Sequence, residues 1–216
     1  MSATKSFLLV CMAMGISMHV LAQDWSGITY KYYDIYPGYI ISLSGDTTRG
    51  YVEHGNRTSN QKTCIFYPDA SKKDKQKYKA SEINGYGVAD KHYRSIPFTG
   101  GLMSKPMGFV LLAKPGRVSQ FIYYSKKDMI GIMTKTETIG EYEERIHTDE
   151  IVWQKLDEKP FQQGELILGF AKKISKLLSD YPELAAKVEN KEKGYGLLNI
   201  YDIMDEYNAW WAAKKN

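Results

Sequence analysis

Gly38–Gly55, GYIISLSGDTTRGYVEHG, is the stretch whose reading decides the fold. It reads as a β-hairpin turning at Gly45-Asp46. With those two residues as the loop, Ser44 faces Thr47, Leu43 faces Thr48, Ser42 faces Arg49, Ile41 faces Gly50 and Tyr39 faces Val52. Side chains alternate between the two faces of a strand. One face therefore collects Tyr39, Ile41, Leu43, Thr48 and Val52, and the other Ser42, Ser44, Thr47 and Arg49. A one-residue slip mixes the two sets, so this register is the self-consistent one. Gly at the first loop position suits a type II′ turn, whose twist matches that of the flanking strands.

Upstream of the hairpin, WSGITYKYYDIYPGYI crowds Tyr30, Tyr32, Tyr33, Tyr36 and Tyr39 into ten residues. The ordinary reading is strand tyrosines with half-buried rings and wet hydroxyls. The sharper reading is an aromatic platform for a sugar ring or a peptide, with Tyr32, Tyr33 and Tyr36 as the candidate ligand-binding residues. Downstream, Lys62–Tyr67 (KTCIFY), Tyr78–Val88 and Lys91–Phe98 are short strand candidates. The lysine-rich run Ser71–Lys79 between them reads as a solvated loop or strand lip. Met107–Ala113 and Val118–Tyr124 form a strongly apolar pair around Lys114-Pro115-Gly116-Arg117, where Pro-Gly argues for a loop longer than two residues. Ile130–Ile139 and Tyr142–Lys155 continue the strand pattern, the second with imperfect alternation.

From Pro160 the period changes. Ile167, Phe170, Ala171, Ile174, Leu177, Leu178 and Tyr181 repeat at helical spacing, with Lys172, Lys173 and Lys176 opposite. Asp180 is placed to cap a second helix with Glu183 as its capping-box partner, and Pro182 is tolerated in that helix's first turn. Asn199 is placed to cap a third, striped by Ile203, Met204, Tyr207, Trp210 and Trp211. The expected fold is α+β, a strand-rich antiparallel N-terminal body (sandwich or partly open barrel) closed by about three C-terminal helices. The expected division is 1–22 signal peptide, 23–159 β-rich domain and 160–216 helical unit packed on the sheet.

The signal peptide rests on Lys5, the mostly apolar run Phe7–Val20 and the Val20-Leu21-Ala22 cleavage pattern before Gln23. A lipoprotein reading at Cys11 fits less well, because bulky Val10 stands where a small residue is wanted. No later stretch is long and apolar enough to be a membrane helix, and the regular ten-residue alternation of an outer-membrane barrel is absent. Cleavage removes Cys11 and leaves Cys64 alone, so no intramolecular disulfide supports the mature fold. The formal charge of +4 becomes +3, with 28 basic against 25 acidic residues. That is too small to argue for nucleic acid.

The segments GDTTRGYV, YKASEINGYG, SKLLSDYPELAAKV and IYDIMDEYNAWW together resemble a group of exported Gram-negative bacterial proteins of unknown function. In that group a G-D-T-x-x-G-Y hairpin precedes a Tyr-x-x-x-x-Ile-x-Gly segment and a helical tail ending in Tyr-Asn. The matching positions are Gly45, Asp46, Thr47, Gly50 and Tyr51, then Tyr78, Ile83 and Gly85, then Tyr207 and Asn208. Where the group often carries Asp-Cys-Pro, this chain has Asp180-Tyr181-Pro182. The resemblance implies export and brings no activity with it.

Catalytic motifs are sparse. His54, His92 and His147 form no close-spaced pair of the HExxH kind, so no metal site is expected. Cys64 shares a strand face with Phe66, which argues for a buried thiol over a nucleophile. There is no G-x-S-x-G elbow, and Gly85-Tyr86-Gly87 lacks the lysine and following helix of a phosphate loop, so no cofactor is expected. Glu141, Glu143, Glu144, Asp149 and Glu150 cluster, as a charged strand edge does. The expected function is a binding or structural module for an envelope protein or glycan partner. The alternative is a secreted hydrolase using carboxylates or Cys64 in a cleft. The mature chain should begin at Gln23; intact-mass measurement of the exported protein checks this, and a chain retaining Met1 or starting at a lipidated Cys11 contradicts it.

Overall fold

The hairpin forms, but its loop has three residues and not two. In the computed structural model, which describes residues 29–98, 107–127, 133 and 135–214, β1 (Asp34–Ser42) pairs with β2 (Thr47–His54). Ile41 faces Thr47, Ile40 faces Thr48, Tyr39 faces Arg49 and Gly38 faces Gly50. Gly45 N donates to the Ser42 carbonyl at 3.0 Å, and Ser42 N donates to that of Asp46 at 2.9 Å. Leu43-Ser44-Gly45 is thus a tight turn closed by a left-handed residue, with Gly45 at φ +95°. The loop's polar side chains explain the choice. Asp46 N donates to Ser42 Oγ at 3.1 Å and the Ser44 hydroxyl to the Asp46 carboxylate at 2.6 Å, contacts a two-residue turn would forgo. The odd shift exchanges the faces: Ile40 is buried beside Val52, and Leu43 is 62% exposed at the tip.

The chain continues as α1 (Arg57–Lys62), β3 (Cys64–Tyr67), β4 (Gln76–Tyr78), β5 (Ile83–Val88), β6 (Lys91–Ile96), β7 (Gly108–Lys114), β8 (Val118–Lys126) and α2 (Ile139–Ile146). It ends as β9 (His147–Lys155), β10 (Phe161–Gln162), α3 (Phe170–Leu177), α4 (Pro182–Glu189) and α5 (Ile200–Ala213). The strands form one open antiparallel sheet in the order β10-β9-β8-β7-β6-β5-β1-β2-β3-β4. With the C-terminal helices this is an α+β fold; of the two arrangements expected for the strands, a second packed sheet is not formed among the described residues. The expected signal peptide at 1–22 and part of the strand expected at Ile130–Ile139 lie outside the described residues. No helix among the described residues is long and apolar enough to cross a membrane.

Three expectations need correction. The strand expected over Tyr142–Lys155 begins only at His147. Thr138 accepts from Glu141 N, and the Glu141 carboxylate accepts from Thr138 N, a capping box that starts α2 instead. Helix α1 interrupts the approach to β3. It has no apolar stripe to announce it, but Asn56 caps it by accepting from Ser59 N at 2.8 Å. Asp180 does not cap α4; Tyr181 occupies the N-cap position without a side-chain bond, and the Asp180 carboxylate is used elsewhere. Nor does the side chain of Asn199 cap α5.

Following the register from strand to strand puts Tyr36, Ile40, Val52, Phe66, Tyr86, Val88, Tyr93 and Phe109 on one face. They form one core, which also holds Cys64. Val118 and Trp153 lie farther along the same face and pack with Leu166, Ile174, Leu178, Leu184, Ile203 and Tyr207. The opposite face carries Ile96, Val110, Phe121 and Val152. Helix α1 starts three residues after β2 and packs on β7 and β8. Those strands lie four and five places from β2, roughly 20 Å or more across a flat sheet. The sheet therefore curls, and α1 sits in the hollow.

Strand β7 pairs with β8 only from Gln120 to Ile122. Two amide side chains supply further rungs. Gln61 Nε2 donates to the Tyr124 carbonyl while Tyr124 N donates to Gln61 Oε1. Asn208 Nδ2 donates to the Val118 carbonyl at 2.9 Å and Val118 N to Asn208 Oδ1 at 3.0 Å. Gly116 is required here, because a Cβ on it would stand 2.4 Å from Asn208 Nδ2.

Between sheet and helices the Asp180 carboxylate gathers its partners. Arg117 donates from Nη2 at 2.9 Å and Nε at 3.1 Å, Lys155 Nζ at 2.9 Å and the Tyr207 hydroxyl at 2.8 Å. Lys155 Nζ also donates to the Leu177 carbonyl at 2.6 Å. Burial pushes the Asp180 pKa up, but hydrogen bonds from Lys155 and Tyr207, the Lys155 charge and Arg117 outweigh it and hold it below the ordinary value. Asp180→Ala should lower the unfolding free energy by roughly 2 kcal/mol at pH 7, discounted from a fully buried pair because the carboxylate is partly in water. A carboxylate with a depressed folded pKa stabilises above its unfolded pKa, near 3.9, and that stability is lost as pH falls through the folded value. Denaturant melts from pH 7 to pH 2 should show the wild-type advantage shrink below about pH 4. An advantage that persists unchanged to pH 2 contradicts this account.

Candidate functional site

At one end of the hollow, the chain before β1 folds back over the end of β2. Tyr33 N donates to the His54 carbonyl at 2.7 Å, and Lys31 N to the Tyr36 hydroxyl at 2.8 Å. Tyr30 is fastened on the other side, its hydroxyl donating to Asp90 at 2.8 Å while Lys91 Nζ lies 3.9 Å above its ring. Burial and the Asp90 hydrogen bond push the Tyr30 pKa up to about 12. Tyr33 takes φ +65°, a left-handed conformation uncommon for a residue with a bulky side chain. Its ring is 57% exposed.

These segments roof a cleft of about 740 Å³, within the range of small-molecule sites (about 300–1,000 Å³). Tyr30, Tyr32, Tyr33, His54, Tyr93 and Tyr124 give it ring surface, and Lys31, Arg57 and Lys91 are the charged residues lining it. Thr138 and Gly140, at the start of α2, close one side. No aspartate or glutamate lines it among the described residues. The floor is rigid. Asn60 Nδ2 donates to the Gly55 carbonyl at 2.9 Å and to the Tyr93 hydroxyl at 3.2 Å, Gly55 N donates to Asn60 Oδ1 at 2.9 Å, and the Tyr86 hydroxyl donates to the Asn60 carbonyl at 2.7 Å.

His54 sits among the tyrosines. Its ring stacks on Tyr32 at 5.6 Å between centroids and 12° between planes, with Tyr30 at 5.3 Å and Tyr36 edge-on at 6.2 Å. It is only 7% exposed, and its Nδ1 is buried without a hydrogen-bond partner. Burial first, then the Lys91 charge, push its pKa down to about 4, so the ring is neutral at pH 7.

No family model, curated protein or solved structure matches the chain. The site is therefore read from its own chemistry. Of the three sequence candidates, Tyr32 and Tyr33 line the cleft, whereas Tyr36 stands behind it, packed on the core and holding Lys31 N. Sequence reasoning missed His54, Arg57, Lys91, Tyr93 and Tyr124. His54 lies two residues beyond Val52 on the buried face of β2, a place that strand alternation alone marks. The other histidines are engaged apart from it, His92 with the Tyr39 hydroxyl at 2.9 Å and His147 with that of Thr58 at 2.9 Å.

The catalytic alternative finds little here. Cys64 is buried among apolar side chains, which raise its pKa and hide it from substrate. Glu150 accepts from Ser125 and from Gln162 Nε2, which gives it a structural role.

A buried base with a lowered pKa destabilises the fold as pH falls, because the unfolded chain takes up the proton first. Between about pH 6.5 and pH 4 the wild-type protein should lose on the order of 2 kcal/mol more stability than His54→Gln. Paired denaturant melts at pH 7 and pH 4 measure this. Equal losses would mean that His54 is not held neutral by its surroundings.

Proposed function

We propose that this chain is an exported protein that binds an envelope glycan in the tyrosine-lined cleft and acts by binding, without turnover. One observation carries the reading: tyrosine rings, the His54 ring and cationic side chains converge on a single cleft with no carboxylate among its described lining residues. Sugar rings pack their C–H faces on aromatic planes and present hydroxyls around the edge, which Tyr and His groups can pair. A peptide would draw on free backbone groups, but those of the floor are taken, Gly55 by Asn60 and Tyr33 N by the His54 carbonyl. Two-carboxylate hydrolysis needs acids flanking the bound sugar, and the described lining supplies none. Export is supported by Lys5, the apolar run to Val20 and the Val20-Leu21-Ala22 pattern.

The reading is tested by calorimetric titration of the mature protein with oligosaccharides released from bacterial envelopes. Tyr32→Ala and Tyr33→Ala should each weaken binding roughly tenfold, as loss of an aromatic anchor does. Tyr201→Ala, on exposed helix surface, should change nothing. Binding indifferent to both cleft variants, or no binding at all, refutes it.

A further inference from the structure

Resting on the cleft as the glycan site, we propose that it selects a saccharide carrying ring carboxylates, of the uronic-acid type, over its neutral counterpart. The charged lining residues are cations from three separate segments, Lys31 before β1, Arg57 at the start of α1 and Lys91 at the start of β6. Their convergence is a product of the fold, since no two of them are neighbours in sequence.

An acid attends Lys91 closely, its Nζ donating to Asp90 at 3.0 Å, and another attends Arg57 loosely. Asp149 is half-exposed and reaches Arg57 only at 3.8 Å, too far for a hydrogen bond. The guanidinium instead lies over the Tyr124 ring, 4.6 Å from its centroid. A guanidinium seated with its face on an aromatic ring keeps its edge N–H groups for a planar carboxylate, which it can hold with two parallel hydrogen bonds. Asp90 is committed to the Tyr30 hydroxyl as well as to Lys91. Lys91 spans the tyrosine roof, and its ammonium is a second, less directional attraction for an anion.

His54 supplies the second, independent mark of a ligand. It is more than nine-tenths buried, and Nδ1 has no partner within the protein. An orphaned buried polar atom in a native fold calls for an explanation; Nδ1 is closed off from solvent, so a hydroxyl bound in the cleft would meet it only once the His54 ring shifts toward the cleft. Because the ring is neutral at pH 7, it can pair with a hydroxyl without adding to the cationic field. Charge selection thus falls first to Arg57, supported by Lys31 and the Asp90-paired Lys91, and ring contact to Tyr32 and Tyr33.

The experiment uses the mature protein and a panel of uronic-acid oligosaccharides, each beside the same oligosaccharide with its carboxylates reduced to alcohols. Titration calorimetry at low salt should show the carboxylate forms bound about tenfold or more tightly than the reduced forms. The preference should fall in about 0.5 M salt, where charges a few ångströms apart are screened. Arg57→Gln and Lys91→Gln should each reduce the preference while leaving affinity for the reduced form nearly unchanged. Tyr33→Ala should weaken both forms alike. Thermal melts identify any variant that fails to fold, and the salt titration of the wild-type protein remains decisive in that case. Equal binding of both forms overturns the charge selection and leaves the glycan cleft standing. Failure of every acidic and reduced sugar to bind overturns both. A preference untouched by Arg57→Gln, Lys91→Gln and Lys31→Gln places recognition outside the cleft and overturns the inference as well.

Discussion

The architecture depends on one carboxylate. Asp180 lies in the short connection between α3 and α4, and it meets Arg117 at the start of β8, Lys155 at the end of β9 and Tyr207 on α5. Four segments from distant parts of the sequence are thereby held at one point. An ion cluster of this kind contributes less by raw Coulomb energy, which partial solvation weakens, than by fixing which arrangement the apolar faces adopt. The oily surfaces of the three helices could slide on Val118 and Trp153 at small cost. The donors around Asp180 could not be satisfied in a slid position. Asn208, one residue beyond Tyr207, fixes the same register against the backbone of Val118.

The other end of β8 is tied down in the same way, by Gln61, and this links the clamp to the cleft. Helix α1 is only six residues long and has no apolar stripe that would hold it by itself. Its place comes from Asn60 and Gln61, whose amides bond Gly55, Tyr93 and Tyr124. Because α1 cannot shift without breaking those bonds, Arg57 is held over Tyr124. The tyrosine roof is fastened by contacts of similar kind, through His54 and Asp90. The left-handed backbone at Tyr33 costs on the order of 1 kcal/mol, and the hydrogen bond to the His54 carbonyl keeps it in place with the ring outward.

Some of this was legible in the sequence. The helical stripes after Pro160 were, because the burial of Ile174, Leu178, Ile203 and Tyr207 obeys a period of 3.6 over many residues. The class of the β-rich body was too, from runs such as Met107–Ala113. The hairpin register was not. Its two candidate loops differ by contacts among Ser42, Ser44 and Asp46 that only a folded loop shows, and the faces exchanged when those contacts prevailed. Helix α2 was hidden because Tyr142, Glu144 and Ile146 satisfy strand alternation, which masked the capping box of Thr138 and Glu141. At the site, local crowding of aromatics pointed to Tyr32 and Tyr33. Arg57, Lys91 and Tyr124 carry no local mark, since what makes them a site is the curl of the sheet that brings three distant segments together.

The sheet ends in very short strands on both sides, two residues in β10 and three in β4, the latter carrying Lys77 and flanked by Lys73, Lys75 and Lys79. At the β4 border an incoming chain would find only three rungs, set among a row of ammonium groups that resist desolvation. That border is thus built as a terminus for β-pairing: copies meeting there have little means of growing into a shared ribbon. A stretch as rich in tyrosine and β-branched residues as this one would otherwise invite that outcome. At the β4 border the ammonium row stands against it.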